Sequence, residues 1–176
     1  MLIAKLLCLA LVGISINPLL AEDATTAGLI LRSNDAFTNI TAGAVPYYKD
    51  NARKALAINA ANEKYRGKFA RAECAFKGTA GEYDVKITTL TEEDGECTYR
   101  LLINGTEVGT FQNPRVEKKD DSQPLSHVWR GITIPALATI AIESNSHSNS
   151  LIPENGGFAW ARGRWRDIEI TPKSVK

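Results

Sequence analysis

Near the end of this 176-residue chain, arginines, tryptophans and amides gather in a pattern suited to a polyhydroxylated ligand. Gly156 to Ile170 holds Trp160 and Trp165, with Arg162, Arg164 and Arg166 at every second position. In a regular strand, alternate side chains share a face, so the three guanidinium groups would line one side. An aromatic face stacks on an apolar sugar ring, and a planar donor fork grips hydroxyls or carboxylates. Just upstream lies a polar loop, Glu143-Ser-Asn-Ser-His-Ser-Asn149 followed by Pro153 to Gly157. Asn145, His147 and Asn149 share one parity there and supply both donors and acceptors. Trp160 is the expected stacking platform, Arg162 and Arg164 the donors, and Asn145, His147 and Asn149 further polar contacts. Trp165 has two readings, an exposed stacker or a ring turned inward by a bulge at Gly163. Against all of this stands a plainer account, with tryptophans in the core and arginines on a solvated face.

The residues make a weaker case for catalysis. Glycoside hydrolysis needs two carboxylates flanking the bond, and Glu143 with Glu154 or Asp167 could supply them. A lyase would use His147 as base, with Arg162 or Arg164 neutralising charge. The chain has no Ser-His-Asp signature, no His-Glu-x-x-His motif and no phosphate-binding glycine loop. Binding without cleavage is therefore the preferred reading, with an adhesive or structural domain as a third. The acidic run Glu92, Glu93, Asp94 and Glu96 offers oxygen ligands for calcium but lacks EF-hand spacing, and such runs are usually solvated turns.

Composition sets the frame. At 44% apolar and 23% charged, the chain is an ordinary globular sequence of one-domain length. A net charge of +1 provides no overall field for nucleic acid or an anionic membrane. Residues 1–21 read as a secretory signal: Lys5, an apolar core from Leu6 to Ile16 too short to span a bilayer, Pro18, then Ala21 before an acidic pair. Cleavage there leaves a secreted chain, extracellular or periplasmic, and removes Cys8. Cys74 and Cys97 would then sit in an oxidising compartment, where a bridge is expected over two buried thiols.

The elements that must position these groups read as strands. Residues 22–45 are expected to be an N-terminal strand and linker, 46–172 the main domain and 173–176 a tail. Val45 to Asp50 looks like an exposed aromatic turn. Residues 50–72 have helical composition, but Ala55-Leu-Ala-Ile58 alternates, so a strand followed by at most a short helix near 60–70 is expected. Further strands are Phe69–Phe76, Glu82–Leu90, Cys97–Ile103, Glu107–Phe111, His127–Ile134 and Thr139–Glu143. Asn104-Gly105 is the strongest hairpin signal. Short strands divided by turns, without βα alternation, argue an all-β antiparallel sandwich.

Gly-Glu-Tyr-Asp-Val at 81–85, Asp-Gly-Glu at 94–96, Tyr-Arg-Leu-Leu-Ile-Asn-Gly at 99–105 and the closing Asp167-x-x-Ile170 resemble the second half of jelly-roll carbohydrate-binding modules. These are the galactose-binding-like sandwiches of families six and thirty-five. The resemblance covers about half of the chain that remains after the signal, and it lacks the family's Tyr-Glu-Ala-Glu opening. It implies a polysaccharide or oligosaccharide ligand held by Glu143 to Arg166, a structural calcium with Asp167 as one ligand, and a place in a larger glycan-degrading assembly. The arginines point to an acidic glycan while leaving a neutral one open.

Overall fold

Tyr83, Val85 and Ile87 are buried while Asp84, Lys86 and Thr88 are more open, the period-two pattern that makes a strand with one face to the core. The same alternation recurs along the chain and closes two sheets over one interior. The computed structural model describes residues 28–173. The expected signal segment lies outside the described residues.

One sheet contains β1 (Leu29–Arg32), β2 (Tyr47–Asp50), β3 (Ala55–Ile58), β5 (Gly81–Leu90), β8 (Pro124–Ile134) and β12 (Trp165–Pro172). Its order is β2-β3-β12-β5-β8, with β1 also on β12. The second holds β4 (Phe69–Ala75), β9 (Thr139–Asn145), β6 (Thr98–Ile103) and β7 (Thr106–Gln112), in the order β4-β9-β6-β7. A small ribbon pairs β10 (Pro153–Glu154) with β11 (Gly157–Phe158). All named strand pairs are antiparallel. The expected all-β antiparallel sandwich is thus present.

Several local expectations change. The expected N-terminal strand is present as β1, which pairs with Asp167 to Ile170, but the stretch after it is not a linker, because Phe37 and Val45 are core residues. A one-turn helix, α1 (Ser33–Ala36), packs against β12, β1 and β3. The expected aromatic turn at 45–50 is strand β2, with Tyr47 buried and Tyr48 facing out. Residues 50–72 behave as expected, with β3 followed by a single 3₁₀ turn at Glu63–Tyr65. At Asn104-Gly105 both residues have positive φ, 50° and 82°, which a two-residue hairpin turn requires.

The core is anchored by Trp165, which is fully buried and meets Phe37 edge-on at 4.8 Å and Tyr47 at 6.3 Å. The bridge between Cys74 and Cys97 is not formed; both are free and buried. Cys74 stands on β4 and Cys97 just before β6, and β9 runs between those strands. Burial pushes the Cys74 thiol up to about 12 and the Cys97 thiol well above its ordinary range.

Candidate functional site

The polar chain from Glu143 to Arg166 leaves the end of β9 and crosses to the other sheet before β12, and not as a regular strand. β12 begins only at Trp165, so Arg162, Arg164 and Arg166 do not share a face. Gly163 makes the turn. It has φ +57°, and a Cβ there would lie 2.5 Å from the Asn145 carbonyl oxygen. The Ser144 hydroxyl donates to the Gly163 carbonyl at 2.7 Å, clamping this corner to β9. A register shift between Trp165 and Asp167 then leaves Arg166 as a bulge. This geometry decides between the two readings of Trp165. Its ring turns inward and cannot stack on a ligand.

Arg164 is also removed from the surface, at 6% exposure. Its Nη1 donates to Glu92 at 2.6 Å and its Nε to Asp50 at 3.2 Å. Glu92 accepts further from the backbone N–H groups of Arg162 at 2.8 Å and Arg164 at 3.2 Å. The buried triad ties three distant pieces of chain together, and its guanidinium is not available to a sugar. Burial pushes the Glu92 carboxyl above the usual carboxylate range, against the pull of Arg164 and these N–H groups. Glu92 is therefore a structural anchor rather than part of a solvated turn.

The amide and imidazole residues are half-buried, and their polar atoms are largely engaged within the protein. Asn145 Oδ1 accepts from the Thr98 N–H at 2.7 Å, and His147 Nδ1 from the Glu96 N–H at 3.2 Å. Asn149 donates to the Glu93 carbonyl at 2.7 Å and accepts from the Leu151 N–H at 3.1 Å. Together they brace the acidic loop against the β9–β12 connection. Glu143 points elsewhere, from the outer face of the four-stranded sheet. There it pairs with Arg71 at 3.5 Å and Arg100 at 3.6 Å across neighbouring strands. The Glu96 carboxylate lies 3.6 Å from His147 Nδ1, while Glu143 faces the two arginines.

What the end of the sandwich presents outward is a smaller set. Trp160 is half-buried, with the Arg66 guanidinium 5.6 Å from its ring centre. Phe158, on the β10–β11 ribbon, is 45% exposed, and Arg162 is exposed. Beside them lie carboxylates. Partial burial raises the Asp94 carboxyl, as do the nearby charges of Asp121, Glu93 and Glu154, while Arg162 lowers it. Arg66 and Phe158 were missed in the sequence because nothing in a 3₁₀ turn or a two-residue strand marks which side chain a distant loop will meet.

Asp167 lines a cavity with Asp35, but Arg32, Arg53, Lys54 and Arg166 share its walls. A hard divalent cation takes several oxygen ligands, and four neighbouring positive charges oppose it. The residues present do not fit a structural calcium there. Among the described residues no group of three or more metal-ligating side chains gathers elsewhere.

No protein-family model matches the chain. An uncharacterized protein of Formosa agariphila is 32% identical over 127 residues, covering 72% of this chain but only 28% of that protein. The chain therefore spans little more than a quarter of that relative's length. Among solved structures, the CBM36-1 domain of a multidomain xylanase from the Trinervitermes trinervoides hindgut metagenome superposes with a TM-score of 0.53. The identity is 16%, over 84% of this chain and 99% of that one. A carbohydrate-binding module CBM36 in complex with calcium and xylotriose gives a TM-score of 0.50 at 14% identity, over 81% and 98%. The Podospora anserina GH26-CBM35 β-(1,4)-mannanase gives 0.52 at 13% identity, over 86% of this chain and 29% of its own. At these identities the likeness speaks for architecture, and this chain has the jelly-roll fold of the carbohydrate-binding modules.

Proposed function

We propose that this protein is an exported, non-catalytic carbohydrate-binding module that seats a neutral glycan against Trp160. The observation that carries the reading is the half-open Trp160 ring at the loop end of a jelly roll, with Phe158 and Arg162 exposed near it. The carboxylates of Glu93, Asp94 and Glu154 cluster at the same end. They accept hydrogen bonds from sugar hydroxyls and repel a uronate, so they favour a neutral chain over an acidic one at this end. Apolar stacking gives such sites their affinity, because hydroxyls exchange one set of hydrogen bonds for another at small net gain. Weak single-site binding is offset by tethering. The xylanase and mannanase among the similar structures carry modules of this fold, which supports a place within a larger glycan-degrading protein or assembly.

Native affinity gels containing xylan or mannan, run with and without chelator, test this reading. Retardation that Trp160→Ala abolishes, with no new reducing ends or unsaturated products, is the expected result. Product release would make the protein an enzyme, and wild-type mobility in every neutral gel would remove the glycan reading at this end. Loss of retardation with chelator would bring in calcium, as in the complex of CBM36 with xylotriose.

A further inference from the structure

The chain holds two Asn-Gly pairs, and the fold gives both the same kind of turn. Asn104-Gly105 joins β6 to β7, with Ile103 opposite Thr106 across it. Asn155-Gly156 joins β10 to β11, with Glu154 opposite Gly157. All four residues have positive φ, 50° and 82° at the first pair and 48° and 77° at the second. Both asparagines are exposed, and a Cβ on either glycine would meet nothing within 4 Å, so both glycine nitrogens are open to approach.

At such a pair the backbone can attack its own side chain, because glycine crowds its nitrogen least. The Gly156 nitrogen bonds to the Asn155 Cγ as the Cγ–Nδ2 bond breaks. The proton of the Gly156 N–H passes by way of solvent to the departing amide, which leaves as ammonia. Water then opens the cyclic imide. Cleavage at Cγ gives aspartate, and cleavage at the Asn155 backbone carbonyl gives isoaspartate, whose chain runs through the side-chain carbons. Ring closure requires rotation out of the turn, so the rate follows how often the hairpin opens.

In that respect the two hairpins differ. β6 carries the buried Tyr99, Leu101 and Ile103 and pairs with β9 on its other side. Asn104 is itself held by Thr139, whose N–H donates to Oδ1 at 2.9 Å and whose carbonyl accepts the Asn104 N–H at 2.9 Å. No comparable bond holds Asn155 among the described residues. The β10–β11 ribbon has two residue pairs, its four strand residues are all exposed, and it joins neither sheet. A two-stranded ribbon by itself is barely stable in water. We propose that Asn155 deamidates spontaneously in the folded protein while Asn104 is protected, and that the change slowly switches off the glycan end. The second part rests on the seating of a glycan at Trp160. The ribbon carries Phe158 beside that ring, and either product places a new carboxylate next to Glu154, which repels it. Isoaspartate also lengthens the backbone by one carbon across a two-residue turn, which the Glu154–Gly157 pairing does not accommodate.

The purified protein is aged at mildly alkaline pH, sampled over days and mapped by peptide mass spectrometry, with an isoaspartyl methyltransferase marking isoaspartate. Conversion at Asn155 should run at least about tenfold faster than at Asn104, set by the difference in hairpin opening. In urea the two rates should converge, because neither hairpin is then present. Asn155→Gly, which accepts the positive φ at this position, should remove the reaction. Aged protein should lose retardation in xylan or mannan affinity gels in step with conversion, and equally aged Asn155→Gly should keep it. Equal native rates at the two asparagines, or conversion of Asn155 only after unfolding, would overturn the proposal. Unchanged retardation after Asn155 has converted would overturn the switch. Fresh protein that no neutral gel retards would remove the Trp160 reading and the switch with it, while the mass data decide the chemistry at Asn155 independently.

Discussion

At the scale of single residues, burial decides which of the chemically capable groups can meet a ligand. Arg164 and Arg162 looked equivalent in the sequence, two positions apart on an alternating run. The backbone turns at Gly163, and only Arg162 reaches solvent. Arg164 instead neutralises two buried carboxylates, so removing it leaves Glu92 and Asp50 without their cation. Breaking a buried pair from one side costs about 3–5 kcal/mol. Arg164→Ala should therefore lower the unfolding free energy by that order in urea titration, while Arg162→Ala leaves it near the parent's. Equal, small effects from both would mean that the triad is not stabilising. Trp160 and Trp165 divide in the same way. One is a half-buried ring at the sandwich end, and the other is the centre of an aromatic cluster whose truncation costs about 3–5 kcal/mol.

At the scale of elements, strand identity was legible because alternation and turn residues are local. Tyr83, Val85 and Ile87 declared β5, and Asn104-Gly105 declared the β6–β7 hairpin. The bulge that ends the arginine alternation was half-legible, since a lone glycine in an alternating run is its only local mark. What was not legible is which strand edges face each other across the sandwich. His127 and Trp129 on β8 meet β7 at one open side, with the His127 ring stacked on Phe111 at 4.3 Å and 8° and the Trp129 Nε1 donating to the Thr110 carbonyl at 3.2 Å. Burial lowers the His127 pKa below its ordinary 6.5. The unfolded chain therefore takes up a proton before the native imidazole does. Stability from this contact is complete above about pH 6.5 and declines as the pH falls through the window below it. The difference in unfolding free energy between the parent and His127→Phe should move against the parent from pH 7.5 to 5.5. A difference that is flat with pH would show that the imidazole titrates as it does in the unfolded chain.

At the scale of the whole molecule, strand order is set by packing that no local pattern records, and the cysteines depend on it. Two cysteines in a chain expected to be exported suggest a bridge, because compartment and count are all that the sequence supplies. In the fold, Cys74 lies opposite Ile140 on β9, and Ile140 lies opposite Ile103 on β6. Cys97 precedes Ile103 by six positions, which at the rise of a strand separates the two cysteines by about 20 Å along the sheet alone. A disulfide requires Cα atoms within about 7 Å, so the native fold cannot close one. Both thiols are buried with raised pKa values, and the thiolate that would react with a reagent is suppressed twice over. The folded protein should thus be silent toward an aromatic disulfide reagent, and its melting temperature should not change on adding reductant. Denaturation without reductant should release Cys74 and Cys97 together, and Cys74→Ser should reduce the thiol count by one. Thiols that appear only after a reductant is added would place the two cysteines side by side and require a different order for β4, β9 and β6.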